Sequence, residues 1–138
     1  MGREILFKAK RTDNGEWVEG YYCIKKPYCF DNRTSSKAII ITEHSSTGTV
    51  SFEVDTDTIC QYTGLTDKNG NKIWENDVVA LDSLGGFLVE YDNENTRFIF
   101  NGEYKDKDYG HCGFHLYAQK EIEVIGNVFD NPELMKEE

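Results

Sequence analysis

A chain of 138 residues is long enough to form a domain with a real hydrophobic core without metal or disulfide cross-links. Fifteen Lys and Arg against 25 Asp and Glu give a net charge of −10, which disfavours non-specific binding to phosphates. No stretch approaches the roughly 18 consecutive apolar residues of a membrane span, and the N-terminal residues lack the apolar segment of a signal peptide. We therefore expect a cytoplasmic protein that does not cross a membrane.

Short apolar runs, many with period-two alternation, follow one another along the chain and predict β-strands. In chain order the runs are EILFKA, EWVEGYYCI, KAIIIT, TVSFEV, TICQYTG, KIWEN, DVVALD, FLVEYD, TRFIF, YGHCGFHLY and IEVIGNVF. At the end, Asn131 and Pro132 suit the cap and the first position of one short helix. This pattern predicts a mainly β fold, either a small SH3-like barrel or a sandwich of short antiparallel strands, with a short C-terminal helix.

Two Asn-Gly pairs predict tight hairpin turns. Asn14-Gly15 lies between the first two predicted strands, and Asn69-Gly70 lies between QYTGL and KIWEN. Asn and Gly tolerate the positive φ angles that a two-residue hairpin turn needs, so we expect both residues of each pair to adopt them.

A sharp corner is predicted after the second hairpin, in the run ENDVV. There the carboxylate of Asp77 can accept backbone N–H bonds and hold the turn. Glu75 and Asp77 could instead form an acid/base pair, but no nucleophile stands near them in the sequence. The structural interpretation is favoured.

The four cysteines are Cys23, Cys29, Cys60 and Cys112, and their spacing is too sparse for a disulfide framework or for paired zinc-binding motifs. In a cytoplasmic protein we expect all four to be reduced and free of metal.

One short cluster, HCGFH, contains residue types that bind metals. If it is a strand, His111 and His115 share a face while Cys112 points to the opposite face, so at most two ligands converge. Packing of these side chains on a sheet is favoured over a metal site. The sequence assigns no catalytic, cofactor-binding or metal-binding residue.

The run VDTDTICQYTGLTDKNGNKIWENDVV resembles the central signature of the YopX family, small proteins encoded largely by phages and prophages. The opening REILFKAKRTDNGEWVEG and the closing IEVIGNVFDNPELM resemble the two ends of that family. One departure is Asn76, because the family typically has Gly before Asp77. Asn also tolerates the left-handed region, so we expect the corner to persist. The resemblance implies a mainly β fold, a phage origin and no established catalytic site or cofactor.

The whole chain, 1–138, is interpreted as a single YopX-like β domain. Residues 1–55 form the N-terminal strands and a loop, residues 56–130 form the signature hairpin and the barrel strands, and residues 131–138 form the short helix or tail.

Three functional hypotheses follow. The leading one is a non-enzymatic phage accessory protein in the cytoplasm of the bacterial host. It acts by contact with a host or phage protein and also self-associates. The reason is that the eighteen aromatic residues exceed what one small core hides. The second is a nucleic-acid-linked role, by acidic mimicry of DNA or by stacking on YYCIKKPYCF, although direct nucleic-acid binding is disfavoured. The third is a metal-dependent hydrolase that combines HCGFH with Asp55 or Asp57.

Overall fold

Antiparallel β-strands provide nearly all the regular structure of the described residues. The structure is a computed structural model that describes residues 4–25, 36–44, 46, 48–81, 84–101, 111–113 and 122–135. Its strands are β1 (Phe7–Lys10), β2 (Trp17–Lys25), β3 (Lys37–His44), β4 (Gly48–Glu53), β5 (Cys60–Thr66), β6 (Lys72–Trp74), β7 (Asp77–Leu81), β8 (Leu84–Asp92), β9 (Arg97–Asn101), β10 (His111–Gly113) and β11 (Ile122–Asn127). Every predicted run overlaps one of them.

Strand pairing is antiparallel throughout, in the orders β4-β3-β2-β1-β5-β6 and β10-β9-β8-β7-β11. The prediction of a mainly β fold of short antiparallel strands is therefore confirmed. The C-terminal helix is present as one 3₁₀ turn, Pro132–Met135, in which the N–H of Leu134 donates to the carbonyl of Asn131 at 3.0 Å. None of the helical turns in the described residues is long and apolar enough to span a membrane.

The chain divides into two compact units, Met1–Gln61 and Tyr62–Glu138. The division falls within β5, whose first two residues pair with β1 and whose later residues pair with β6. The interpretation as a single domain stays a prediction.

The first unit is built from β1 to β4 around a small core. Alternate residues of the strands point inward, and the buried members are Ala9, Ala38, Ile40 and Val54. Gly20 on β2 is buried beside β3: a Cβ built there would clash with the backbone carbonyl oxygen of Ile41.

The two ends of this four-stranded sheet meet. Arg11 and Val54 form an antiparallel bridge, and the N–H of Thr12 donates to the carbonyl of Glu53 at 3.0 Å. The N–H of Asp55 donates to the carbonyl of Lys10 at 2.9 Å on the same side. The first unit is therefore a partly closed, barrel-like sheet.

The second unit has its own core, contributed by β6, β7, β8, β9 and β11. Its buried members are Ile73, Val79, Phe87, Val89, Phe100 and Ile122. Aliphatic and aromatic side chains on these short strands supply the apolar area that the unit buries.

Both predicted hairpins form, but their turns differ from the prediction. Gly15 and Gly70 have positive φ angles of 73° and 84°, whereas Asn14 and Asn69 do not. At the second hairpin the N–H of Gly70 donates to the carbonyl of Asp67 at 3.0 Å. This is the three-residue arrangement, a tight turn followed by one left-handed glycine, and it needs only one positive φ angle. The expectation of two such residues per turn was wrong.

Candidate protein-contact surface

The turn of the β5–β6 hairpin is organised by the carboxylate of Asp67, which is only 5% exposed. Its Oδ1 accepts from the N–H of Asn69 and of Asn71, each at 2.9 Å, and its Oδ2 accepts from the N–H of Val124 at 3.0 Å. Burial opposes ionisation of the carboxyl, but these hydrogen bonds outweigh it and hold the pKa of Asp67 below its usual value.

Asp67 also joins the hairpin to β11. The N–H of Lys68 donates to the carbonyl of Ile122 at 2.9 Å, and the Lys68 Nζ lies 3.7 Å from a carboxylate oxygen of Glu123. Sequence reasoning did not single out Asp67. The available signal was an Asp at the first position of a tight turn, where its side chain can accept the following N–H groups.

The corner after β6 has the predicted geometry. Asn76 adopts a left-handed conformation with φ of 72°, as expected for a residue that replaces Gly. Asp77 is 2% exposed, and its Oδ2 accepts from the N–H of Trp74 at 2.8 Å. The structural role predicted for Asp77 is confirmed. Asn76 anchors two further segments, because its N–H donates to Val89 and its carbonyl accepts from Val128.

The HCGFH cluster is described only in part. His111 and Cys112 lie on β10, opposite Asn101 and Phe100 of β9, and they are adjacent residues of one strand. His115 lies outside the described residues, so the metal hypothesis stays a hypothesis.

Asp55 and Asp57, the acids considered with that cluster, lie in a local turn that the Asp55 side chain stabilises. Asp55 caps the 3₁₀ helix Thr56–Thr58, and its Oδ1 accepts from the N–H of Asp57 at 3.0 Å. Both are exposed. Across the described ranges, no group of three or more His, Cys, Asp or Glu is placed to hold a metal ion.

The outward side of the N-terminal sheet carries an exposed apolar surface, which we call the Tyr21 face. It comprises Trp17, Tyr21, Cys23, Ile39 and Ile41, which alternate along β2 and β3 with residues of the first core. Tyr21 pairs directly with Ile41, and Cys23 pairs with Ile39. Tyr21 is 57% exposed and Cys23 is exposed, whereas the three others are half-buried.

Two lysines flank this face at Trp17. The ammonium groups of Lys8 and Lys10 lie 4.5 and 5.4 Å from the centroid of the Trp17 ring. Lys10 is the direct cross-strand neighbour of Trp17, and Lys8 is paired with Glu19. A cation over an indole ring is favourable, so Trp17 and the two lysines form an aromatic surface with cations beside it, next to the acidic Glu19.

A polar groove of about 560 Å³ lies elsewhere on the first unit, between the β1–β2 turn, the start of β3 and the end of β4. Its charged groups engage one another or nearby residues. Lys37 lies 3.5 Å from Glu53, and Arg11 pairs with Asp13 at 2.6 Å. Because charges of both signs line it and are paired, no ligand class is favoured.

The acidity of the chain is concentrated in one unit. Residues 1–61 contain eight Lys and Arg against nine Asp and Glu, whereas residues 62–138 contain seven against sixteen. The first unit, which carries the Tyr21 face, is therefore close to neutral.

Comparison with known proteins gives a consistent result. The sequence profile described as YopX protein matches residues 6–136, nearly the whole chain. Among solved structures, this chain is similar to the crystal structure of protein EF1440 from Enterococcus faecalis, with a TM-score of 0.55 and 25% identity over 98% of this chain and 100% of that chain. No protein with a curated description matches significantly.

Proposed function

Since the chain belongs to the YopX protein family, we propose that it is a non-enzymatic accessory protein of a phage or prophage. It acts by binding another protein, of the host or of the phage, in the cytoplasm of the bacterial host. The phage association rests on the family, and the mode of action rests on the Tyr21 face.

The observation that carries this proposal is the exposure of Tyr21. The residue is 57% exposed although it lies in the middle of a strand, directly opposite Ile41 and two residues from the exposed Cys23. Aromatic side chains in such a position are enriched in protein interfaces, where they bury a large area at a low cost in side-chain entropy. The near-neutral charge of the first unit also favours contact, because a charged partner surface is not required.

The test is quantitative capture from a lysate of the bacterial host with the full chain, a Tyr21→Ala variant and a Tyr91→Ala control. Tyr91 is 39% exposed but lies on β8 in the second unit, outside the Tyr21 face. We expect a specific host or phage protein that the wild type and the Tyr91 variant retain, that nuclease treatment leaves bound, and that the Tyr21 variant loses at least ten-fold. Equal capture by all three proteins would contradict the proposal.

A second candidate function is binding of single-stranded nucleic acid, which the Lys8–Trp17–Lys10 arrangement favours. Aromatic rings flanked by cations stack nucleic-acid bases while the cations contact phosphates. Each contact between a lysine and a phosphate of a single strand contributes about −0.7 to the slope of log affinity against log salt concentration. Two lysines should therefore give a slope of about −1.4. Fluorescence anisotropy with a labelled oligonucleotide measures this slope. A signal unchanged by Lys8→Ala together with Lys10→Ala would exclude this site.

Acidic mimicry of DNA, the other nucleic-acid-linked hypothesis, would be a property of the second unit, where the acidic excess lies. In the capture experiment it would give a host DNA-binding protein whose recovery falls with added DNA and is unaffected by Tyr21→Ala.

A further inference from the structure

Two edge strands of the described sheets, β11 and β6, have backbone groups that are already hydrogen-bonded outside the strand pairing. On β11, the N–H of Val124 donates to Asp67 and the carbonyl of Ile122 accepts from Lys68. On β6, the N–H of Trp74 donates to the carboxylate of Asp77. An edge strand whose backbone groups are occupied in this way cannot recruit another strand.

The end of β4 is also closed. The carbonyl of Glu53 accepts from both the N–H and the hydroxyl of Thr12, at 3.0 and 3.3 Å, and the N–H of Asp55 donates to Lys10. Residues that follow β1 therefore occupy the outer side of β4 from Glu53 onward.

In the part of the chain that the structure describes, no such cover lies along the rest of the β4 edge. Val54 donates its N–H to Ala38 on the β3 side, whereas Glu53 uses its carbonyl on the opposite side. Because successive residues of an antiparallel strand alternate between the two sides, Ser51 and Thr49 direct both their N–H and their carbonyl groups away from β3. Among the described residues, none forms a hydrogen bond with these four groups.

We propose that this edge pairs with the same edge of a second copy of the chain, as an antiparallel dimer whose two-fold axis passes beside Val50. This inference goes beyond the proposed function, because β4 lies outside the Tyr21 face. In this register Thr49 lies opposite Ser51 of the partner subunit, and the two pairs exchange four backbone hydrogen bonds. Phe52 lies opposite Gly48 of the partner subunit, so an aromatic ring covers a residue without a side chain.

The chemistry of the edge favours a second copy of this chain as the occupant. The stretch Gly48–Phe52, GTVSF, contains no charged residue and no proline, the two commonest protections of an exposed edge. It belongs to the near-neutral unit, so two copies can approach here despite the net charge of −10. Hydroxyl side chains meet across the axis at Thr49 and Ser51, a favourable cross-strand pair.

The test uses charge exchange at Thr49 and Ser51, two exposed positions whose substitution leaves the first core unchanged. The double variant Thr49→Lys with Ser51→Lys places like charges opposite each other in both cross-strand pairs. The double variant Thr49→Lys with Ser51→Glu places opposite charges there. Sedimentation from about 1 to 200 µM gives the mass of each protein, and circular dichroism checks that each is folded.

We expect the wild type to reach twice the chain mass of 15.9 kDa. The variant with two lysines should dimerise at least ten-fold more weakly, and the variant with Lys and Glu should recover dimerisation. A wild type that stays monomeric at 200 µM overturns the proposal. A dimer that both variants retain equally also overturns it, because the contact then lies on another surface. Failure of the variant with Lys and Glu to recover dimerisation overturns it as well. Because these measurements contain no other protein, they are independent of the Tyr21→Ala capture experiment.

Discussion

Replacement of Asp67 should destabilise the second unit more than its position in a surface turn would indicate. In Asp67→Ala the N–H groups of Asn69, Asn71 and Val124 lose their acceptor. Because Asp67 is only 5% exposed, water cannot easily take the place of its carboxylate. At about 1–1.5 kcal/mol for each hydrogen bond, we expect a loss of about 3–5 kcal/mol. Asp67→Asn keeps the shape and can accept two of the three bonds, so a loss of about 2 kcal/mol is expected.

Urea unfolding at pH 7 measures both losses, with Asp13→Asn as the control. Asp13 is also a turn carboxylate, but it is exposed and bonded mainly to the side chain of Arg11, so its replacement should change stability little. Equal stability of Asp67→Ala and the control would refute the role assigned to Asp67.

The pH dependence gives a second test of Asp67. Because the folded protein holds the pKa of Asp67 below its unfolded value of about 3.9, its ionised form stabilises the fold above that pH. This contribution is lost as the pH falls through the folded pKa. The difference in unfolding free energy between wild type and Asp67→Asn should therefore be constant from pH 7 to about 5 and should shrink below about pH 4. A difference that grows on acidification would contradict the sign of the shift.

Three further predictions follow from the backbone and the thiols. Gly20→Ala should lower the free energy of unfolding by about 3 kcal/mol, measured in urea, since the added Cβ would meet a backbone oxygen. Gly70→Ala should lower it by about 1 kcal/mol, because Gly70 has a φ of 84° but open space around it. Equal losses would contradict the clash predicted at Gly20. Asn76→Gly should be tolerated and Asn76→Ala should cost about 1–2 kcal/mol, because Ala resists the left-handed conformation; equal stability would mean that the corner rearranges. All four cysteines should react with a thiol reagent after denaturation, and in the native protein the exposed Cys23 should react much faster than the buried Cys60. Fewer than four thiols would contradict the reduced state.

Local patterns were sufficient to predict the strands, because alternation of apolar residues reports which face of a strand is buried. They were less reliable at strand ends: the run EILFKA predicted a strand from Glu4, but β1 begins at Phe7, and Val128 belongs to a turn after β11. Pairing partners at such ends are distant in sequence, so local pattern does not fix them.

The corner at Asn76 was predictable because a left-handed residue has a local steric requirement that few residue types meet. The third bond of Asp67 was not, since its donor, Val124, is 57 residues away. The Tyr21 face also could not be assigned from alternation alone. Both faces of β2 carry aromatic residues, and only the pairing with β3 shows that Tyr22 packs against the core while Tyr21 is exposed.

The stretch of the chain with the strongest motif is also the one whose polar groups are already engaged. Asp67 and Asp77 are buried, and each carboxylate accepts backbone hydrogen bonds that hold a turn. A general base must instead present a carboxylate to substrate with a pKa near the working pH, and in Asp67 the shift is in the opposite direction. The two surfaces proposed to form new contacts, at Tyr21 and along the β4 edge at Thr49 and Ser51, lie on the first unit. This separation supports an architectural role for the signature, with recognition assigned to surfaces that carry no sequence motif.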